Sequence, residues 1–147
     1  LFLVLTTIVS GAFVAGTDAG LIYNNFPYMG NNFLPPDPFI LEPKWLNFFE
    51  NKTLIQFDHR LLASATGIFI IYTCLKNLKF YKNKLIKKLL IILLFLILFQ
   101  YTIGILTLNL MVPISIGSLH QMGSVGVLSI IIVILSEFYG QKKGAIK

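Results

Sequence analysis

Three long apolar runs, at about 53–75, 89–108 and 114–138, constrain this chain more than any other feature. They are too long for the core elements of so small a soluble fold, and each is long enough to cross a hydrocarbon layer about 30 Å thick. A fourth run, at about 1–16, reaches roughly 24 Å at the helical rise and falls short of a full crossing. It also begins inside an apolar stretch at Leu1, with no charged region before it, which reads as part of a longer chain and not as a signal peptide. Composition agrees: 56% of residues are apolar, 12% are charged and the mean hydropathy is +0.79, whereas soluble domains carry roughly 25% charged residues. The expected fold class is therefore an all-α membrane protein, a four-transmembrane-helix bundle formed by residues 1–147 as a single domain. A lone cysteine, Cys74, excludes an intrachain disulfide and a cysteine-rich zinc site.

Charge placement orients the spans. Of twelve basic residues, six lysines fall in the stretch 76–88, which has no acid, and Lys142, Lys143 and Lys147 lie in the tail at 139–147. A net charge of +6 so distributed is a topology signal and not a nucleic-acid surface. Loop and tail are expected on the cytoplasmic or matrix side. The segment 17–52 and the short turn Asn109 to Pro113 then lie on the outer face, where Asp18, Asp37, Glu42 and Glu50 outnumber Lys44 and Lys52. That turn forces a hairpin, with Pro113 opening the last helix.

The outer segment holds eight aromatic residues and five prolines. Disordered segments are poor in aromatics, and Pro27, Pro35, Pro36, Pro38 and Pro43 oppose a long helix. Turns and one short helix near Trp45 to Glu50, lying at the interface as a cap, are expected.

The chain has two histidines, His59 and His120. Each sits about two turns into a span that runs from the outer face inward, so the two depths agree at roughly 10 Å from the helix starts. Ionisable groups within a bilayer are costly, and neutral imidazole is a good axial ligand for haem iron. Small residues at helical spacing could admit a flat macrocycle: Gly117, Gly123 and Ser124 around His120, Ala63, Thr66 and Gly67 below His59, and Ser10, Gly11, Ala12 and Ala15 on the first span. The competing reading is that small residues let helices pack closely and that the histidines hydrogen-bond across the bundle. Arg60 suits a haem propionate, or else snorkels at the interface. Asp58 reads as a cap or a partner for Arg60, and Gln100 and Gln121 as interhelical glue. Met111 and Met122 are soft ligands that two histidines make unnecessary, and Cys74 lies at the wrong end of its helix for this layer.

Several stretches resemble the haem A synthase family of mitochondria and their bacterial relatives: residues 11–20 (GAFVAGTDAG), 23–30 (YNNFPYMG), 47–51 (NFFEN), 56–60 (QFDHR) and 119–121 (LHQ). The resemblance implies half of an eight-helix, pseudo-symmetric protein that oxidises a methyl group of haem O to the formyl group of haem A. This chain resembles the C-terminal half. It implies a haem b held by His59 and His120, with the haem O pocket and a catalytic glutamate in the absent N-terminal half. Glu50 does not match that glutamate's motif, and the catalytic residues are not assigned here. Implied partners are that N-terminal half, an electron donor and the lipid bilayer of a mitochondrial inner membrane or bacterial plasma membrane, with oligomeric state open to a homo-oligomer. Two other readings compete: a non-catalytic bis-histidine b-type cytochrome module, and a structural membrane protein whose histidines bind nothing.

Overall fold

A computed structural model describes the backbone of residues 1–144 and the side chains of residues 1–140; most of the basic tail at 139–147 lies outside the described side chains. Among the described residues the regular secondary structure is all helix, apart from an isolated bridge between Met29 and Asn32, and residues 22–43 are turns and irregular chain. The helices are α1 (Phe2–Gly16), a single-turn α2 (Asn47–Glu50), α3 (Lys52–Phe80), α4 (Lys84–Asn109) and α5 (Ile114–Gly144). Three of them, α3, α4 and α5, are long and apolar enough to cross a membrane, while α1 is a shorter apolar helix packed in the same bundle.

Each boundary has a local cause. Asn51 caps α3 by accepting from Thr53 N at 3.0 Å, and Asn83 caps α4 by accepting from Leu85 N at 2.8 Å. Between α4 and α5, Met111 and Val112 adopt positive φ and turn the chain, and the Pro113 carbonyl accepts from Gly117 N. At the basic end the helices extend past the apolar runs into the lysine-rich stretch, leaving only Tyr81–Asn83 non-helical. Lysine is a good helix former, and its long stem lets the ammonium reach water from a helix that continues into the headgroup region.

The helices form a ring in which α1 touches α3, α3 touches α4, α4 touches α5 and α5 touches α1. His59-bearing α3 and His120-bearing α5 therefore stand on a diagonal. The half of the bundle nearer the lysines is a dry core of Val4, Ile70, Cys74, Ile86, Leu90, Leu93, Val127 and Ile134, and Tyr81 stacks on Phe138 with ring centroids 4.8 Å apart. Large apolar residues such as Phe2, Ile68, Phe95 and Val125 face outward, as lipid-facing positions require.

The opposite end is closed by the segment between α1 and α3. It contains short 3₁₀ turns at Ala19–Leu21 and Lys44–Leu46, the latter leading into α2, so the short helix expected near Trp45 is present. Trp45, Phe48 and Phe49 remain exposed, Phe49 making edge-on contacts with Trp45 and Phe13 and Phe48 one with Phe39, the arrangement of an interfacial aromatic belt. Under them Asn47, fully buried, accepts from Leu41 N at 3.0 Å and donates to the carbonyls of Leu41 at 2.9 Å and Lys44 at 3.0 Å. Asn47→Ala strands those groups in a buried site, at a cost of roughly 2–3 kcal/mol. The expected outcome in hydrogen exchange is loss of protection at Leu41 and its neighbours with α4 and α5 unaffected; a change spread evenly over the bundle would contradict this role.

Candidate functional site

Toward the end capped by the aromatic segment, the bundle changes character from hydrocarbon to polar side chains, and both histidines lie there. Each histidine is braced by the helix that forms a hairpin with its own. His59 Nδ1 lies 2.8 Å from Ser10 Oγ on α1, and its ring edge faces Gly11, where a Cβ would sit 3.1 Å from Cε1. His120 Nδ1 lies 3.1 Å from Gln100 Nε2 on α4, and its ring edge faces Gly104, where a Cβ would sit 2.8 Å from Cε1. A Cβ at Gly104 would come closer than real Cβ contacts do, and one at Gly11 would be tight enough to push the ring by a few tenths of an ångström, so the imidazole bears hardest on Gly104.

The same layer is stitched by hydroxyls. Thr7 Oγ1 and Thr66 Oγ1 are 2.8 Å apart between α1 and α3. Because Thr7 already donates to the Leu3 carbonyl, Thr66 is the donor. Ser64 donates to the Arg60 carbonyl, so Tyr101 of α4 donates to Ser64 across 2.9 Å. Such bonds satisfy groups that lipid cannot.

Arg60 follows neither sequence expectation simply. Its guanidinium donates to the carbonyls of Asn25 at 3.2 Å, Tyr28 at 3.0 Å and Tyr23 at 2.7 Å, while its Nε is buried with no partner. The fork thus holds the cap to α3, one turn below Gln56, whose amide donates to Gly20 and Tyr23 carbonyls. Asp58 makes no ion pair with Arg60; among the described residues the one salt bridge is Lys44 with Glu42. Beside Arg60 a cavity of about 170 Å³ opens among Phe26, Pro27, Met29, Phe57 and Ser64.

The small residues divide between the two readings offered for them. Gly67 faces open space and Gly117 meets only Thr107 Cγ2 at 3.9 Å, but Gly123 is taken up by the Gln100 carboxamide. Gln100 is buried and bridges α4 and α5, as interhelical glue should, whereas Gln121, Met111 and Met122 are exposed. Cys74 is buried in the dry core at the other end. Sequence reasoning did not single out Gly104 as a support for His120, nor assign Ser10 to His59; the only signal was that each lies on the helix of a hairpin partner. Among the described residues no cluster of three or more His, Cys, Asp or Glu exists, and the imidazoles that could serve as donors are those of His59 and His120. Two imidazoles, each fixed at Nδ1 and seated on glycine, fit the axial ligands of a haem better than a compact metal site of three or four ligands.

Gly104→Ala drives a methyl group into a ring held by Gln100 and is expected to lose roughly 1–3 kcal/mol. Gly67→Ala, which meets nothing within 4 Å, should leave the unfolding midpoint in detergent unchanged or raised. Equal losses in the two variants would reject the seat assigned to Gly104.

Comparison with known proteins adds a family. A family model described as cytochrome oxidase assembly protein, COX15-CtaA, matches residues 1–132. A protein named "Heme A synthase" from Wolbachia sp. subsp. Brugia malayi (strain TRS) is 46% identical over 124 residues, which is 84% of this chain and 35% of that protein. "Heme A synthase COX15" of Bos taurus is 42% identical over 137 residues, 92% of this chain and 33% of the bovine protein. "Heme A synthase" of Nitrosospira multiformis is 43% identical over 122 residues, 83% of this chain and 34% of that protein. The chain thus spans about a third of the length of the curated relatives it matches. No solved structure matches it.

Proposed function

The chain belongs to the COX15-CtaA family of cytochrome oxidase assembly proteins, and on that footing we propose that it serves haem A biosynthesis as the haem b-binding, C-terminal half of a haem A synthase. The observation that carries the proposal is the pair of imidazoles, one on each diagonal helix, each with Nδ1 engaged and its ring laid on a glycine. His59 and His120 would be the two axial ligands. Engagement at Nδ1 orients each ring and leaves Nε2 as the nitrogen that faces away from its brace.

Bound there, haem b supplies one-electron chemistry at its iron. The chain's own part is to hold and shield. Gly11 and Gly104 set the rotation of the two rings, and the Thr7–Thr66, Ser64–Tyr101 and Gln100–His120 bonds keep the four helices in register around them. The capping segment, tied down by Gln56 and Arg60, separates this layer from bulk water, which strengthens electrostatic interactions within it. Arg60 has one N–H left over at Nε, a donor suited to an acidic side group of haem b. Oxidation of the haem O methyl group is assigned to an N-terminal half bearing its own histidine pair and catalytic glutamate, with this half passing electrons from a donor. The histidine layer is placed at the outer face of a mitochondrial inner membrane or bacterial plasma membrane, on the side opposite the lysines.

The test is the reduced-minus-oxidised spectrum of the full-length protein carrying this chain. His59→Ala and His120→Ala are each expected to abolish the six-coordinate low-spin signal of this haem, and Cys74→Ser to leave spectrum and haem content unchanged. A normal low-spin signal in either histidine variant would refute the ligand pair. Separately, Lys82 should resist an outer-side labelling reagent in sealed, oriented vesicles; labelling there would reverse the assigned topology.

A further inference from the structure

The three long spans turn different faces outward. On α4 the exposed positions of the span are Ile91, Ile92, Phe95, Leu98, Phe99 and Leu106, with one hydroxyl, Thr102, bonded back to the Leu98 carbonyl. On α3 below the histidine they are Leu61, Ala65, Ile68, Phe69, Tyr72 and Leu75. Those are largely bulky, apolar surfaces of the kind that faces lipid. The exposed face of α5 instead carries Ser115, Ser118, Gln121, Ser129 and Ser136 around Met122, Val125 and Ile132, and it has no aromatic residue before Tyr139. Ser118, Met122, Val125, Ser129, Ile132 and Ser136 recur at steps of three and four and so form one stripe along the helix.

This is the wrong face for a helix left to lipid. Of the three long helices α5 is the least buried, packing mainly on α4 and only lightly on α1, yet it is less apolar than α4. Greater exposure to hydrocarbon calls for the reverse. The glycines of α5 do not account for the small residues outside, because Gly117, Gly123 and Gly126 all face α4, against Thr107, Gln100 and Leu96. Gln121 lies seven residues past Ile114, about 10 Å along the axis, where its exposed carboxamide needs partners that lipid does not offer. Ser129 and Ser136 donate to the carbonyls of Val125 and Val133 on their own helix, which leaves their oxygens able to accept from a neighbour.

We propose that the outward face of α5, from Ser118 to Ser136, is the surface on which the remaining membrane helices of the same protein dock, small residues packing against the partner backbone and Gln121 hydrogen-bonding across the seam. The choice of occupant rests on the reading above, that this chain is one half of a longer synthase. The chain covers 33 to 35% of the relatives it matches, so the larger part of such a protein has to pack elsewhere. A partner on the same polypeptide also meets this face at a high effective concentration, which a second copy does not. Gln121 directly follows His120. Docking here therefore sets the other half against the back of the helix that carries one proposed ligand, a single helix diameter of about 10 Å from the polar layer.

The experiment puts the photoreactive residue benzoylphenylalanine in place of Met122, Ile132 or, as a lipid-facing control, Phe95 in the full-length protein held in phospholipid nanodiscs. Products are sized on gels and mapped by peptide mass spectrometry. At Met122 and Ile132 the expected product has the mass of one chain and joins α5 to a peptide from outside residues 1–147; at Phe95 it is a lipid adduct. Ser129→Trp adds bulk at the centre of the stripe and is expected to lose most of the same-chain product while the helical spectrum is retained. Lipid adducts alone at Met122 and Ile132, or an undiminished product in Ser129→Trp, would overturn the docking face. Products of two-chain mass would overturn the occupant in favour of a second copy. Same-chain products in a protein without a low-spin haem signal would refute the cofactor assignment and leave the docking face standing.

Discussion

Inside a bilayer every polar group must find its partner on the chain itself, and that one constraint organises this structure. Hydroxyls along the spans mostly bond to carbonyls of their own helix, and the side chains that bond between helices are gathered into a layer at one end. Ser10 with His59, Thr66 with Thr7, Tyr101 with Ser64 and Gln100 with His120 each cross an interhelical seam. The other end is packed mainly by Leu, Ile and Val, and its Thr73, Asn77, Ser129 and Ser136 bond within their own helices. The division into a stitched layer and a dry layer follows from collecting the costly groups where they satisfy one another.

Close approach is the second requirement, and it is met by omission of side chains. An imidazole can lie across an adjacent helix only where that helix has no Cβ, and Gly11 and Gly104 supply those gaps. Their positions differ from those of their bracing polar residues: Gly11 follows Ser10 directly, while Gly104 is one helical turn beyond Gln100. The two seats are thus alike in plan and different in construction.

Much of the architecture was legible in the residues. Apolar run length marked α3, α4 and α5, Pro113 marked the start of α5, and the density of aromatics marked an ordered cap instead of a tether. The two histidines stood out because imidazole is rare and expensive in a span. What could not be read was which residue each histidine touches, because that depends on how each helix is rotated about its axis, and a stripe of small residues looks the same whether it admits a macrocycle or a neighbour. Gly123 illustrates this: spacing placed it beside His120 as room for a flat group, and the room is taken by Gln100. Arg60 shows a related limit. It binds three main-chain carbonyls, and every residue offers a carbonyl, so no pattern of side chains announces such a contact.

The ring order of the helices bears on how the molecule is put together. Since α1 braces His59 and α4 braces His120, each pair of helices holds its own imidazole together with the group that supports it. Neither hairpin contains both. The pair exists only after the second hairpin docks beside the first, so the polar layer is a product of assembly, and any factor that delays that docking keeps two finished half-sites apart.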